Sequence, residues 1–493
     1  MFQLISQNRA LYCYILLTLW IFLMIAGMYR YVGTEDNIML SSGKLPDIPI
    51  QTSRNFNLNT KAKRVLRQCN LPEYMTTDEE GGLEGSFSLE SLTILLRHGD
   101  RGPMNHVRNI SSIDCSSNDP LYSAYNSFWT NISLHQSANP YLPFLSTFHN
   151  YPLVPPVRGG CELGQLTPLG ASQLLRVGSL LRTVYSSQLG LDNLTLSNED
   201  VHLYSTTYRR TFQSLLAFLH EFLHPDELQK FTIRDVSSLA FCFNDCACSA
   251  ASHYTSLFDA EKLRYLRSHP AVIKLVKKAS QVVYELNTKH LSTDPWALRD
   301  ALLSYVCHGT QLPCHRSDCV KSEDVTGVFA YIDWETRQYS RMLNMRRSHL
   351  LKAYGLLKRI VSSLLSSVSN SKPRLSIFSG HDWTVRYLAV TLGLFTDGAG
   401  SPIYASRFII ELYKNKAAST SYEDTSSSSR QYYLRFLFNG KDLTSKVPFC
   451  KRAGLRYSET AFLCPIESVV RFLHDDYFTP FNTTNFKDAC TRP

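Results

Sequence analysis

Short apolar runs alternate with longer patterns of helical periodicity along most of the chain. Three of the short runs are typical of buried strands: Ser91–Leu96, Val201–Ser205 and Arg374–Ser379. Helical patterns are predicted in three segments: one that begins at Pro168 behind a Thr167 cap, one over Tyr208–Leu223, and one that follows Gly380 and runs through Leu394. This alternation of strand and helix is characteristic of an α/β domain.

The second half of the chain adds a helical region and two late strands. Residues 255–365 are predicted to be mostly helical, and a cap-like helical insertion is expected near 225–365. Phe408–Tyr413 and Tyr432–Phe438 are predicted strands, and a serine-rich loop at 417–429 separates them. The expected fold class is therefore α/β, with a mostly parallel sheet, helices on both faces and a smaller helical cap insertion.

The N-terminal segment between Arg9 and Arg30 holds twenty uncharged residues that are rich in Leu, Ile, Phe and Met. A helix of that length spans the hydrocarbon core of a bilayer, which is about 30 Å thick. A cleaved signal peptide is the alternative, but its apolar region is shorter and ends in a small-residue cleavage site. The expected organisation has four parts: a cytoplasmic tail at 1–9, a transmembrane signal anchor at 10–29, a lumenal stem at 30–88 and a main domain at 89–493.

Sequons and cysteines favour a lumenal main domain and therefore a single-pass type II orientation. Four Asn-X-Ser/Thr sequons follow the anchor, at Asn109, Asn131, Asn193 and Asn482. Twelve of the thirteen cysteines also follow it, an even number that fits six disulfides whose pairing stays open. Metal binding by the cysteine clusters at 242–248 and 307–319 is the rival interpretation, but their spacing forms no paired zinc motif. We predict disulfides and no metal.

The chain carries a formal net charge of +9 at pH 7. A basic surface either aids solubility alone or attracts an anionic partner, such as a phosphorylated substrate, a sulfated glycan or a membrane surface. The sequence has no zinc-finger or aromatic RNA-binding signature, so nucleic acid is not an expected partner.

A histidine between two arginines directly follows the first predicted strand, in the order Arg97-His98-Gly99-Asp100-Arg101. Loops at the carboxyl ends of strands are where open α/β sheets bind their ligands. Two guanidinium groups this close repel each other unless an anion lies between them, and a phosphate group satisfies both. The plain alternative is a surface turn with incidental charges.

A second histidine follows a predicted strand far downstream, in Gly380-His381-Asp382. Together with the first motif, the segment Gly-Gln-Leu-Thr-Pro-Leu-Gly at 164–170 and the later Arg210-Thr211, this pair resembles the histidine acid phosphatases over about residues 91–490. The resemblance implies the histidine phosphatase fold, which is similar to that of phosphoglycerate mutase. It also implies two-step phosphoryl transfer that requires neither a metal nor a cofactor.

The resemblance further implies a role for each matched residue. His98 is expected to attack phosphorus as the nucleophile, and Asp382 is expected to protonate the leaving oxygen. Four further side chains are expected to hold the phosphoryl oxygens: Arg97, Arg101, Arg210 and His381. Asp100 is expected to orient the loop rather than to react.

Departures from the family pattern lie beside Arg210. Tyr204 stands where secreted and lysosomal members usually carry arginine, and Thr207 and Arg209 stand where they carry acids. Because Arg210-Thr211 is retained, the phosphate pocket is expected to be intact, whereas the changed neighbours leave the substrate open. Within the family the chain resembles a Golgi member that has the same short N-terminal tail, single anchor and lumenal catalytic domain. That member removes the 2-phosphate of xylose from the linkage region of proteoglycans.

That similarity implies a Golgi membrane location and a phosphorylated glycan of proteoglycan core proteins as substrate. Glycosyltransferases of linkage-region synthesis are the protein partners that it implies. Three alternatives stay open: a broad-specificity or phytase-like phosphatase of the secretory pathway, a mutase that passes the phosphoryl group to a second hydroxyl, and an inactive lumenal glycan-binding protein.

Overall fold

The computed structural model describes residues 17, 18, 20 and 60–491, with gaps at 84, 117–122, 138–145, 157–159, 191–195, 224–227, 229, 286–292, 417–430 and 458–461. The predicted tail at 1–9 and nearly all of the predicted anchor at 10–29 lie outside the described residues, as does Asn193. Across the described residues, none of the helices combines the length and apolarity that a membrane crossing requires.

The described part of the chain contains strands and helices with the following bounds. The strands are β1 Phe87–Arg97, β2 Val201–Thr206, β3 Ile233–Val236, β4 Cys314–His315, β5 Asp318–Cys319, β6 Leu375–Gly380, β7 Arg407–Asn415, β8 Tyr432–Phe438, β9 Lys441–Asp442, β10 Leu455–Arg456 and β11 Phe462–Pro465. The helices are α1 Thr60–Arg67, α2 Ser123–Ser137, α3 Pro168–Leu189, α4 Arg209–Phe222, α5 Ser249–Arg267, α6 Pro270–Val283, α7 Pro295–Cys307, α8 Ser322–Tyr339, α9 Leu343–Asn370, α10 Asp382–Thr391, α11 Pro448–Lys451, α12 Ile466–Arg471 and α13 Phe486–Thr491.

The main sheet is mixed, so the expectation of a mostly parallel sheet is wrong. Its strand order is β10-β11-β8-β7-β1-β6-β2-β3, with β9 paired to β8. The strands β3, β2, β6 and β1 are parallel neighbours, whereas β7, β8, β9, β10 and β11 pair antiparallel. The connection between β7 and β8 gives a physical reason for that pair: no helix separates these two strands in the described chain, and strands joined without a crossover pair antiparallel.

Helices cover both faces of the sheet, as the alternation of side chains along β1 requires. Leu92, Ile94 and Leu96 point to one face and pack into a core with α3 and α4. Leu95 points to the other face and joins a second core with α9 and α10. Because side chains of a strand alternate between faces, a single strand anchors both apolar layers.

The helical insertion has a core of its own. Helices α6, α7 and α8 pack together through apolar side chains that include Val276, Leu298 and Val328. Helix α1 packs against α7 and α8, and Cys69, just after α1, forms a disulfide with Cys307 at the end of α7. Residues 60–83, which the sequence assigned to the stem, therefore pack on the main domain.

Disulfides join all twelve cysteines that follow the predicted anchor. The pairs are Cys69–Cys307, Cys115–Cys161, Cys242–Cys246, Cys248–Cys490, Cys314–Cys319 and Cys450–Cys464. The prediction of six disulfides is confirmed. The clusters at 242–248 and 307–319 are consumed by these bonds, so they offer no thiolate to a metal.

Helix α3 approaches the loop after β1 so closely that only glycines fit at the contact. The Thr167 hydroxyl caps the helix by accepting the Gly170 amide at 3.0 Å. A Cβ on Gly170 would lie 2.1 Å from the Asp100 carbonyl oxygen, and a Cβ on Gly99 would lie 2.1 Å from that of Gly170. The backbones of the loop and of the helix therefore touch directly.

We expect Gly170→Ala to destabilise the protein by about 1–3 kcal/mol, because the added methyl group forces the loop backbone away from α3. Urea unfolding of the purified full-length chain measures this loss. Gly160→Ala is the matched control, because its Cβ would approach only Ser111, at 3.8 Å. Equal unfolding free energies for the two variants would contradict the close contact.

Candidate active site

Two histidines meet at the carboxyl ends of adjacent parallel strands. Strand β1 ends at Arg97, which is paired in register with Gly380 at the end of β6. The His98 amide donates to the Gly380 carbonyl oxygen at 3.0 Å, so the strand register continues by one residue. The rings of His98 and His381 lie 5.5 Å apart, centroid to centroid, and both side chains are buried.

The protonation of His98 is defined by its surroundings. Its Nδ1 lies 2.7 Å from the Gly99 carbonyl oxygen, which can only accept, so Nδ1 carries the proton. Burial, followed by the charges of Arg210 and Arg97, lowers the pKa of His98 well below its ordinary value. The imidazole is therefore neutral and its Nε2 holds a free electron pair, which is the state that a nitrogen nucleophile needs.

Two arginines near this ring keep an N–H without a partner among the described residues. Arg97 donates through Nη1 to the Pro402 carbonyl oxygen at 2.7 Å and stacks 4.4 Å from the Tyr404 ring centroid. Arg210, in the first turn of α4, donates weakly to Nδ1 of His381 at 3.4 Å. The Nε atoms of both arginines are buried and have no hydrogen-bond acceptor in the described chain. Such donors are suited to an incoming anion.

The third predicted arginine is already paired. Arg101 makes a two-point ion pair with Asp300 of α7, at 2.7 Å and 3.2 Å, and Asp300 also accepts the Met104 amide at 3.0 Å. Burial lowers the pKa of Arg101, but nearby groups, chiefly Asp300, raise it, and the net pKa is above its ordinary value. The charge of Arg101 is therefore neutralised by Asp300, and among the described residues only its Nε lacks a hydrogen-bond partner.

Sequence reasoning missed Asp300 because it lies 199 positions from Arg101 in a helix that carries no motif. Only the helical periodicity of that segment was visible, and periodicity does not show which polar side chain turns toward a distant loop.

The second histidine is positioned by a hydroxyl chain. Nε2 of His381 lies 2.9 Å from the Thr206 hydroxyl, which in turn lies 2.8 Å from the Thr211 hydroxyl. Because Nδ1 accepts from Arg210, the proton resides on Nε2. Burial and Arg210 lower the pKa of His381 to about 3, so its ring is neutral when no anion is bound.

Asp382 follows at the first position of α10. One carboxylate oxygen accepts the Trp383 amide at 3.0 Å, which orients the group at the helix N-terminus. Burial raises the pKa of Asp382, but the surrounding positive charges, those of Arg97 and Arg386 first, lower it to about 2. In this state Asp382 is ionised, and a dianion bound among the arginines would oppose that ionisation.

Exposed aromatic rings border the His381–Asp382 pair. Tyr208 is 37% exposed, and its ring lies 5.0 Å from that of His381. Trp383, the neighbour of Asp382, is 36% exposed. Aromatic faces beside a charged pocket are suited to the flat C–H surface of a sugar ring.

Two further predictions concern residues outside this pocket, namely the glycosylation sequons and metal binding by cysteines. Asn109, Asn131 and Asn482 are exposed, as glycosylation requires. The described residues bring Cys115, Cys161 and His308 within reach of a common metal ion, but the two cysteines are joined in a disulfide.

The sequence is similar to known phosphatases over the segment that contains these site residues. The family model described as "Histidine phosphatase superfamily (branch 2)" matches residues 88–439. The chain is 28% identical to 2-phosphoxylose phosphatase 1 of Homo sapiens, over 90% of this chain and 93% of that protein. It is 25% identical to the lysosomal acid phosphatase of Bos taurus, over 62% of this chain and 69% of that protein.

Solved structures show a more distant similarity. The multiple inositol polyphosphate phosphatase of Bifidobacterium longum has a TM-score of 0.49 and 12% identity to the chain, and the match covers 84% of this chain and 98% of that one.

We expect the protein to take up protons when it binds sulfate near pH 5. Sulfate does not titrate at this pH, so any proton uptake belongs to the protein. Sulfate among the arginines offsets the charges that lower the pKa values of Asp382 and His381, so both rise toward the working pH. Calorimetry in buffers of different ionisation enthalpy measures the uptake.

Asp382→Asn is expected to take up fewer protons, whereas the exposed control Asp318→Asn is expected to match the wild type. Sulfate binding without proton uptake, or the same uptake in Asp382→Asn as in the wild type, would contradict the prediction that a bound anion raises the pKa of Asp382.

Proposed function

The chain belongs to branch 2 of the histidine phosphatase superfamily and is a phosphoric monoester hydrolase, and we propose that it removes the 2-phosphate of xylose in the glycosaminoglycan–protein linkage region. Phosphoryl transfer to His98 is supported by one observation: the His98 ring is buried and neutral, and its unprotonated Nε2 lies among arginines. The named substrate of its relatives supports the sugar part.

The first half-reaction transfers the phosphoryl group to the enzyme. Nε2 of His98 attacks phosphorus and forms the N–P bond, while the bond between phosphorus and the sugar oxygen breaks. Asp382, protonated once the phosphate dianion is bound, donates its proton to that oxygen. A sugar alkoxide is a poor leaving group, so this proton transfer matters more than it would for an aryl phosphate.

The second half-reaction returns the enzyme to its starting state. Water attacks the phosphorus of phosphohistidine, the N–P bond breaks, and Asp382 takes a proton from the water. Arg97 and Arg210 donate to the oxygens of the phosphoryl group in both steps, and Arg101 adds its Nε. His381 joins these donors once the bound dianion has raised its pKa and Nδ1 carries a proton. The positive charge of Arg97 and Arg210 stabilises the charge spread over these oxygens in the transition state.

The sugar of the substrate would contact the aromatic border of the pocket. Trp383 follows the proton donor Asp382 in the chain and is 36% exposed, so its indole is the stacking surface that we propose for the sugar ring. The formal charge of +9 also favours an acidic glycan over a neutral one.

A lumenal Golgi address with a type II anchor is part of the proposal. Six disulfides among described cysteines support an oxidising compartment. The apolar segment at 10–29 supports the anchor, and the exposed sequons support a lumenal main domain with its helical insertion. In that compartment the enzymes that extend the linkage glycan are the proposed partners.

The test is a substrate panel on the purified full-length chain. We expect kcat/KM for a 2-phosphoxylose linkage glycan to exceed that for a phosphopeptide, inositol hexakisphosphate or glycerol 2-phosphate by at least about tenfold. His98→Ala sets the background in every assay. Equal or better turnover of inositol phosphates would favour the phytase-like alternative, and absence of turnover that depends on His98 would favour the binding protein.

The same panel examines the sugar contact. Trp383→Ala is expected to lower kcat/KM for the glycan about tenfold, which is about 1.4 kcal/mol, and to leave glycerol 2-phosphate nearly unchanged. Trp129→Ala, which alters a tryptophan of 38% exposure on α2, is the matched control. An equal loss on both substrates would argue against sugar stacking.

A further inference from the structure

Helix α7 of the insertion touches the catalytic loop at two places. Near its middle, Asp300 pairs with Arg101 at 2.7 Å. At its end, His308 is the C-cap residue of the helix and contacts Asp100, which directly precedes Arg101 in the loop. Adjacent loop residues are thus held by side chains that lie about two helical turns apart on one helix. The loop cannot shift without breaking one of these contacts.

The contact between His308 and Asp100 is buried and has defined donors. Nε2 of His308 lies 2.8 Å from Oδ2 of Asp100, and Nδ1 lies 3.2 Å from the Asp114 carbonyl oxygen. The side chains of His308 and Asp100 are only 3% and 1% exposed. A carbonyl oxygen accepts and an ionised carboxylate accepts, so both ring nitrogens donate and the ring is an imidazolium.

Asp100 has no other cation at hydrogen-bond distance within the described chain. Its Oδ2 also accepts the Thr167 hydroxyl at 2.7 Å, which is a neutral donor. Its Oδ1 is buried with no partner among the described residues. Its backbone is held as well, because the Asp100 amide donates to the Gln173 side chain at 2.7 Å. Loss of the proton from His308 would therefore leave a buried carboxylate uncompensated, which is strongly unfavourable.

We propose that His308 is a positioning residue whose protonated ring holds the loop at 98–101 against helix α3 and the insertion, and that loss of its proton sets the alkaline limit of activity. This inference rests on the proposed function for its activity readout. It adds a residue that the family motifs do not contain, from a segment outside them.

The direction of the pH effect follows from the groups that face His308. Burial lowers the pKa of His308, whereas the Asp100 carboxylate of the loop raises it, and the hydrogen bond to the Asp114 backbone and the Asp114 carboxylate add to this. The remaining neighbours, the Thr167 hydroxyl and the Cys115–Cys161 disulfide, do not titrate in this range. The net pKa is raised above its ordinary value. The stabilising contribution is therefore complete below the ordinary pKa and disappears as the pH rises through the raised one.

The experiment compares kcat across about pH 4.5 to 9 for the wild type, His308→Gln and the exposed control His253→Gln. An aryl phosphate is the substrate, because its leaving oxygen depends least on the Asp382 proton. We expect His308→Gln to lower kcat about 10- to 100-fold at acid pH, because the loop is misplaced, and to lose the alkaline inflection of the wild type. Asp100→Asn combined with His308→Gln replaces the charged pair with neutral hydrogen-bonding groups. It is expected to recover part of kcat, again without the inflection.

Two outcomes would overturn the proposal. One is an alkaline inflection at the same pH in the wild type and in His308→Gln, whatever the size of the loss in kcat. The other is a kcat of His308→Gln equal to that of the wild type at acid pH. If the single variant does not fold, the double variant carries the same comparison.

A second readout does not depend on turnover. The unfolding free energy of the wild type is expected to fall as the pH rises through the pKa of His308, and that fall is expected to be missing from the double variant. Identical pH dependence in both proteins would contradict the proposal even if phosphate release proved independent of His98. Failure of the proposed function and failure of this inference are thus distinguishable.

Discussion

The structure depends on positive charge packed around a neutral imidazole. The guanidinium groups of Arg97 and Arg210 lie close to His98 in a buried site where water screens little of their field. Burial and this field keep His98 unprotonated, and the arginines hold Asp382 ionised, so the site is suited to an anion rather than to a neutral ligand. In the proposed mechanism a phosphate dianion relieves the repulsion between these arginines, and the same negative charge favours the protonated form of Asp382. Substrate binding would then prepare the acid for the reaction.

The scaffold supplies the positions that this event needs. Parallel pairing of β1, β6 and β2 brings three strand ends to one edge of the sheet, so the loop after β1, the His381–Asp382 pair and the first turn of α4 converge. The helical insertion then closes on the loop through Asp300 and His308. A disulfide between Cys69 and Cys307 ties the end of α7 to the segment before β1, which limits the freedom of the insertion relative to the site.

Much of this site could be predicted from sequence because its chemistry is concentrated in local motifs. Arg97, His98 and Arg101 lie within five consecutive residues at the end of β1, and a strand pattern before Gly380 indicated the second histidine. Partners supplied by a distant segment had no such signal: Asp300 and His308 belong to α7, whose sequence shows helical periodicity alone. The direction of β7 and β8 was also missed, because periodicity identifies a strand but not the neighbour it pairs with.

The most direct test of the central claim is to find where the phosphoryl group resides during turnover. Alkaline quenching of the full-length enzyme with an aryl phosphate, followed by ³¹P NMR and peptide mapping, identifies the phosphorylated atom, because phosphohistidine survives alkali. A phosphoryl group on Nε2 of His98, and none in His98→Ala, is the predicted result. A phosphoryl group on another residue, or phosphate release by His98→Ala at the wild-type rate, would contradict the account.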